Sequence, residues 1–183
     1  MKYLKITLIG ALILSALTLT GCATAARSDA MVASSVVAPI AANASKKLLG
    51  NIAISDVTGG TSTNPMWVSK VGGPEFEKAL EASLRGSGFL SANRQSGDYK
   101  LVADLREVNQ PMIGIDITVT SSVEYQLIER ATGKNIYRET ISAPYTAKMS
   151  DSFLGSERLR LANEGSIRAN IERLIQRLSA LVP

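Results

Sequence analysis

The sequence predicts an α+β fold: two layers, with a mostly antiparallel sheet of about four strands carrying two helices on one face, in the order β-α-β-β-β-α. Three observations predict it. Ile113, Ile115, Ile117, Val119, Val123, Tyr125 and Leu127 occupy every second position, with Ser121 the one gap. That alternation describes a long strand buried on one face and wetted on the other. Helical spacing occurs on either side of the strand-like region, in Phe76, Leu80 and Leu84 and again in Ile167, Ile171, Leu174, Leu178 and Leu181. A turn sequence, Ala131-Thr132-Gly133-Lys134, folds the long strand back on Asn135–Tyr145 as a hairpin.

The remaining elements follow in chain order. Leu48–Val57 is a short apolar strand with Ile52 and Ile54 on one face. A Gly/Thr-rich connection, 58–73, leads to Pro74 at the first helical turn, where Glu75 and Glu77 complement the helix dipole. The helix runs over Glu75–Arg85 and stops at Gly86 and Gly88. Tyr99–Val108 alternates, with Tyr99, Leu101, Ala103 and Leu105 on the apolar side. The long strand that follows exceeds the usual 3–10 residues and so predicts a bend or bulge near Ser121-Ser122. Ser156–Val182 is the closing helix, and Asn163-Glu164-Gly165-Ser166 marks a place where it kinks or divides.

Ahead of the domain, Lys2 and Lys5 precede an apolar run, Ile6–Leu19, which is the layout of a secretory signal peptide over 1–21. The run falls short of the ~20 residues that a membrane-spanning helix needs. Residues 22–47 are rich in alanine and serine and read as a tether, whose reach as flexible coil is roughly 25–30 Å. A short Ala-rich helix around 30–44 is the competing reading. Residues 48–183 make the α+β domain. Removing 1–21 takes two lysines from the 20 basic residues and none of the 16 acidic ones, so the formal charge falls from +4 to +2. No basic run interleaved with aromatics remains, which argues against a nucleic-acid partner.

The 183 residues include no histidine and one cysteine. That excludes Ser-His-Asp and Cys-His catalysis, an internal disulfide and the usual zinc sites. No metal, no cofactor and no catalytic residue is expected. Asp104 and Asp116, on polar strand faces, are the carboxylate pair that an envelope glycan- or lipid-modifying enzyme would need. Binding is the better-supported reading. Met66 and Trp67, the only tryptophan, sit in a long polar connection, where aromatic anchors concentrate at recognition sites. Phe153 and Leu154 form a second apolar pair in the connection before the last helix.

Leu19-Thr20-Gly21-Cys22 resembles the bacterial lipobox. The resemblance implies diacylglyceryl transfer to the Cys22 sulfur, cleavage before it, and acylation of the new amino terminus by chains of the palmitate type. Ala23 in place of Asp, by the enterobacterial sorting rule, implies the outer membrane with the domain in the periplasm. The mature layout, with Tyr99-Lys-Leu-Val-Ala-Asp-Leu105 and an amphipathic last helix, is similar to the lipopolysaccharide-assembly lipoprotein and the ABC-transport auxiliary lipoproteins. Asp116–Ser121 and Glu157–Arg168 are also similar to a lipoprotein group labelled UDP-N-acetylglucosamine acyltransferase, although the chain has neither hexapeptide repeats nor a histidine base. These resemblances imply a lipid-anchored, non-enzymatic binding or scaffold module in envelope assembly or transport. Its partners would be the membrane, through the lipid, and an envelope protein or lipid. Surface exclusion or adhesion is a further alternative.

Overall fold

A computed structural model describes residues 23–33, 45–63, 69–111 and 114–183. The signal peptide, Cys22, Met66 and Trp67 lie outside the described residues. The elements are β1 (Ile52–Gly59), α1 (Gly73–Gly86), β2 (Tyr99–Asn109), β3 (Ile117–Glu129), β4 (Asn135–Ala147) and α2 (Gly155–Ala180), in the expected β-α-β-β-β-α order. The sheet order is β1-β2-β3-β4, with β1 and β2 parallel and the other neighbours antiparallel. The helical crossover makes the first pair parallel and the short turns make the others antiparallel.

Both helices cover one face of the sheet. Tyr99, Leu101, Ala103 and Leu105 of β2 and Val123, Tyr125 and Leu127 of β3 form the floor of the core. Phe76, Leu80 and Leu84 of α1 and Ile167, Ile171, Leu174 and Leu178 of α2 form its roof. A smaller cluster, Ile117, Val119, Ala147 and Ala162, closes the end where β3 begins.

Three expectations are corrected. The long strand begins at Ile117, so Ile115 is not on the buried face: it lies in a bend and is 73% exposed. Here the Asp116 carboxylate accepts the Met149 N–H at 3.0 Å, tying the approach to β3 to the connection after β4 instead of continuing the ladder. The bulge lies opposite the expected place: β3 runs unbroken, and β2 carries the extra residue, Arg106, across from Ser122 and Val123. Finally, α2 is continuous through 163–166. Gly165 is tolerated there because a Cβ would stand 2.3 Å from the Tyr145 ring; the glycine lets the helix approach β4.

Residues 23–33 do not behave as a tether. Ala26, Met31 and Ala33 are buried in the main core, and a short 3-10 turn spans Asp29–Met31. Ala26 N–H donates to Lys70 O, Arg27 N–H to Glu164 Oε1, and Ala33 N–H to Ser83 Oγ. Arg168 donates back to Ala30 O at 2.6 Å. The segment is a strap against both helices, and its small residues are what let it fit. The tether expected over 22–47 is therefore wrong for these residues.

Candidate recognition surface

The same alternation that buries one face of each strand leaves the other face uncovered among the described residues, because both helices lie on the core side. Asp104 of β2 stands directly opposite Glu124 of β3. Like charges so placed repel. The bulged Arg106 resolves this: its guanidinium reaches Asp104 Oδ2 at 2.9 Å and Glu124 Oε2 at 2.7 Å. Arg138 of β4 takes Glu124 Oε1 at 2.7 Å, and Thr58 of β1 donates to Asp104 Oδ1 at 3.0 Å. A chain of polar contacts thus crosses all four strands. Towards the far end of β4, Thr118 pairs with Thr146 and Ser122 with Ser142 through their hydroxyls. The arginine ends of these pairs are exposed, and such pairs add little to stability. Their effect is to give the face a fixed pattern of charge.

Burial in the sheet pushes the Glu124 carboxyl up, but hydrogen bonds from Arg138 and Gln126 and the charges of Arg106 and Arg138 outweigh this and hold it below the ordinary 4.5. A depressed folded-state value contributes stability that is complete above the ordinary pKa and lost as pH falls through the depressed one. The thermal midpoint is therefore expected to fall more steeply below about pH 4.5 in the wild type than in Glu124→Gln. Thermal melts across the acid range check this, and superimposable profiles would refute it.

The carboxylate pair expected for an enzyme does not form. Asp104 is opposite Glu124, and Asp116 lies in the bend ahead of β3, whose first residue, Ile117, is seven strand residues from Glu124. At about 3.3 Å per residue that is roughly 23 Å of strand, whereas paired glycosidase carboxylates stand within about 5–10 Å. Both are otherwise engaged, Asp104 with Arg106 and Thr58 and Asp116 with the Met149 N–H.

At the carboxyl ends of the parallel strands, a groove of about 670 Å³ is lined by residues that include Ala25, Gly59, Gly60, Thr61, Pro74 and Glu75. Gly59 has φ +81°, and a Cβ there would stand 2.2 Å from Leu105 O, so only glycine lets β1 end this close to β2. The loop that carries Met66 and Trp67 has a fixed base. Thr61 N–H donates to Val71 O at 2.8 Å, and Thr63 Oγ1 bonds both the N–H and the carbonyl of Lys70. Gln110 and Asn163 both donate to Ser69 O, pinning the returning arm to α2. The loop thus leaves the same end of the sheet that carries Phe153 and Leu154.

Phe153 is 82% exposed and Leu154 55%. Two exposed residues near them, Ile115 and Met149, were not legible as site candidates. Alternation places Ile115 in the core, and Met149 follows the hairpin strand with no pattern of its own.

Neither a protein-family model nor a curated protein sequence matches the chain. Solved structures do. A Xanthomonas campestris protein of family model DUF330 superposes with a TM-score of 0.54 at 13% identity, over 72% of this chain and 84% of that one. A candidate lipoprotein from Caulobacter crescentus CB15 gives 0.49 at 14% identity, over 78% and 94%. A minor lipoprotein from Acinetobacter baumannii gives 0.46 at 14%, over 72% and 94%. The chain therefore has the α+β fold of the Xanthomonas campestris protein, at an identity where the likeness concerns the backbone alone.

Proposed function

We propose that the chain is a lipid-anchored binding or scaffold module of the bacterial cell envelope that works without catalysis, anchored in the outer membrane with its domain in the periplasm. The lipid belongs on Cys22, at the end of the apolar leader and the Leu19–Cys22 pattern. The observation that carries the binding reading is the uncovered sheet face, on which Asp104, Arg106, Glu124 and Arg138 form one ordered array. Such a face suits a protein partner of complementary charge, since patterned charge sets specificity and encounter rate more than raw affinity. Strand addition is less favoured at β4. Its carbonyls at Ile141, Ser142 and Ala143 are taken by Asn170, Arg173 and Ser166 of α2, and Pro144 offers no N–H.

Two variants test this reading in cells. Cys22→Ala is expected to release the domain into the soluble periplasm or leave the precursor uncleaved, read by fractionation and acyl labelling. Ordinary acyl labelling of that variant would defeat the anchor. A photo-crosslinking residue at Thr140, exposed on the sheet face, is expected to trap one protein adduct of defined size. Adducts from position 67 with none from 140 would move the site to the loop, and silence at both would count against the binding module.

A further inference from the structure

We propose that one end of the domain rests directly on the bilayer, with Ile115, Met149, Phe153 and Leu154 inserted in the interface; this depends on the reading of Cys22 as the lipid-attachment site. The topology gathers these residues. β1, β2 and β4 all finish at one end of the sheet, β3 begins there, and both helices start there. Ile115 is 73% exposed, Met149 45%, Phe153 82% and Leu154 55%, and the Asp116–Met149 hydrogen bond holds the first of these beside the second. Among the described residues, the other end carries two exposed large apolar side chains, Leu49 and the penultimate Val182, on separate segments. Its turns otherwise present Lys47, Asp98, Arg130 and Lys134.

What covers the apolar rim follows from where the strap begins. Ala25 lines the groove at this end, beside Gly60 and Pro74, and Ala26 is bonded to Lys70. From there the strap runs towards Ser83, near the far end of α1. Ala23 is only 6% exposed, so the folded domain begins one residue after the cysteine. Consecutive Cα atoms are about 3.8 Å apart. Acyl chains on Cys22 therefore hold this end, and no other, at the membrane surface, without the roughly 25–30 Å of slack that a flexible tether would have allowed. Large apolar side chains brought to the interface bury there, and their area adds to the anchoring. The sheet face then stands upright from the membrane and open to the periplasmic space.

The single native cysteine, acylated, leaves introduced thiols free for labelling. Lipidated full-length chains carrying Ile115→Cys, Phe153→Cys or Lys134→Cys are nitroxide-labelled and reconstituted in vesicles of phosphatidylethanolamine and phosphatidylglycerol. Collision with dissolved oxygen and with a water-soluble nickel chelate then reports depth. Labels at 115 and 153 are expected to favour oxygen over nickel, and the label at 134 to behave as in water. Labels at 115 and 153 as nickel-accessible as at 134 would overturn the seating while leaving the anchor intact. Labels shielded from both reagents would also overturn it, in favour of a protein occupant. Failure of the chain to carry acyl label and to float with vesicles would defeat the anchor reading, and the seating with it. Circular dichroism of each labelled variant confirms the fold.

Discussion

Replacing Asn170 with leucine is expected to destabilise the domain by about 2–6 kcal/mol, although leucine is apolar and of similar size. Asn170 is fully buried between α2 and the sheet. Its Oδ1 accepts the Tyr125 hydroxyl at 3.1 Å, and its Nδ2 donates to Ile141 O at 2.8 Å and to Ser121 O at 3.3 Å. Burial pushes the Tyr125 phenol far up, so it remains a donor at any working pH and needs an acceptor. Leucine would leave that hydroxyl and the Ile141 carbonyl buried without partners, at about 1–3 kcal/mol each. Tyr125→Phe in the Asn170→Leu background removes one orphan and is expected to recover part of the loss. Chemical denaturation of the four proteins of that cycle measures it. Strict additivity would show that the two side chains do not cooperate and that their contact is spatial coincidence.

The second large effect concerns Glu164. Its Oε1 takes the backbone N–H of Arg27 at 2.9 Å and pairs with Arg160 of the preceding turn, whose side chain is itself almost buried. Removing one partner of a buried pair leaves the other uncompensated, at about 3–5 kcal/mol. Arg160 keeps Glu157, so Glu164→Leu should fall near the lower bound, about 3 kcal/mol. The variant also removes the strap's hold at Arg27. Trypsin is expected to cut after Arg27 many times faster than in the wild type, with Glu164→Gln intermediate, since the amide can still accept the Arg27 N–H. Unchanged tryptic cleavage in Glu164→Leu would show that the strap is held elsewhere.

These two sites also show where reading the sequence reached its limit. Period-two and period-four patterns located the strands and helices because each buries one apolar face, and that much is local. The polar seam was visible only as two unconnected oddities, the gap at Ser121 and the polar residues at 163–166. In the fold they are one feature: the Ser166 hydroxyl accepts the Ser121 N–H at 2.7 Å and donates to Ala143 O at 2.7 Å, so it bridges β3, β4 and α2. Polar residues at Asn163, Ser166 and Asn170 share a helix face by their three- and four-residue steps. Matching that stripe to the strand's polar gap was the available signal. The strap left none. Alanine-rich composition suits a flexible tether as well as a peptide that must slide between two helices, and only contacts distant in sequence separate them, such as that between Arg27 and Glu164, 137 residues apart. Phe153 and Leu154 were legible because a pair of large apolar residues stands out in a polar connection. Ile115 was not, because a single hydrogen bond to Met149 decides where β3 starts.

The strap also bears on timing. A peptidase that cuts just ahead of Cys22 must grip the chain on both sides of the bond in extended form. Once Ala23 and Met31 are packed away, that grip is lost. On the proposed lipidation at Cys22, maturation therefore has to come before the last step of folding, or wait for the strap to peel off by local opening. On that proposal, a domain whose first residues complete its own core couples processing to folding, and the rate of the tryptic cut after Arg27 reads the coupling out.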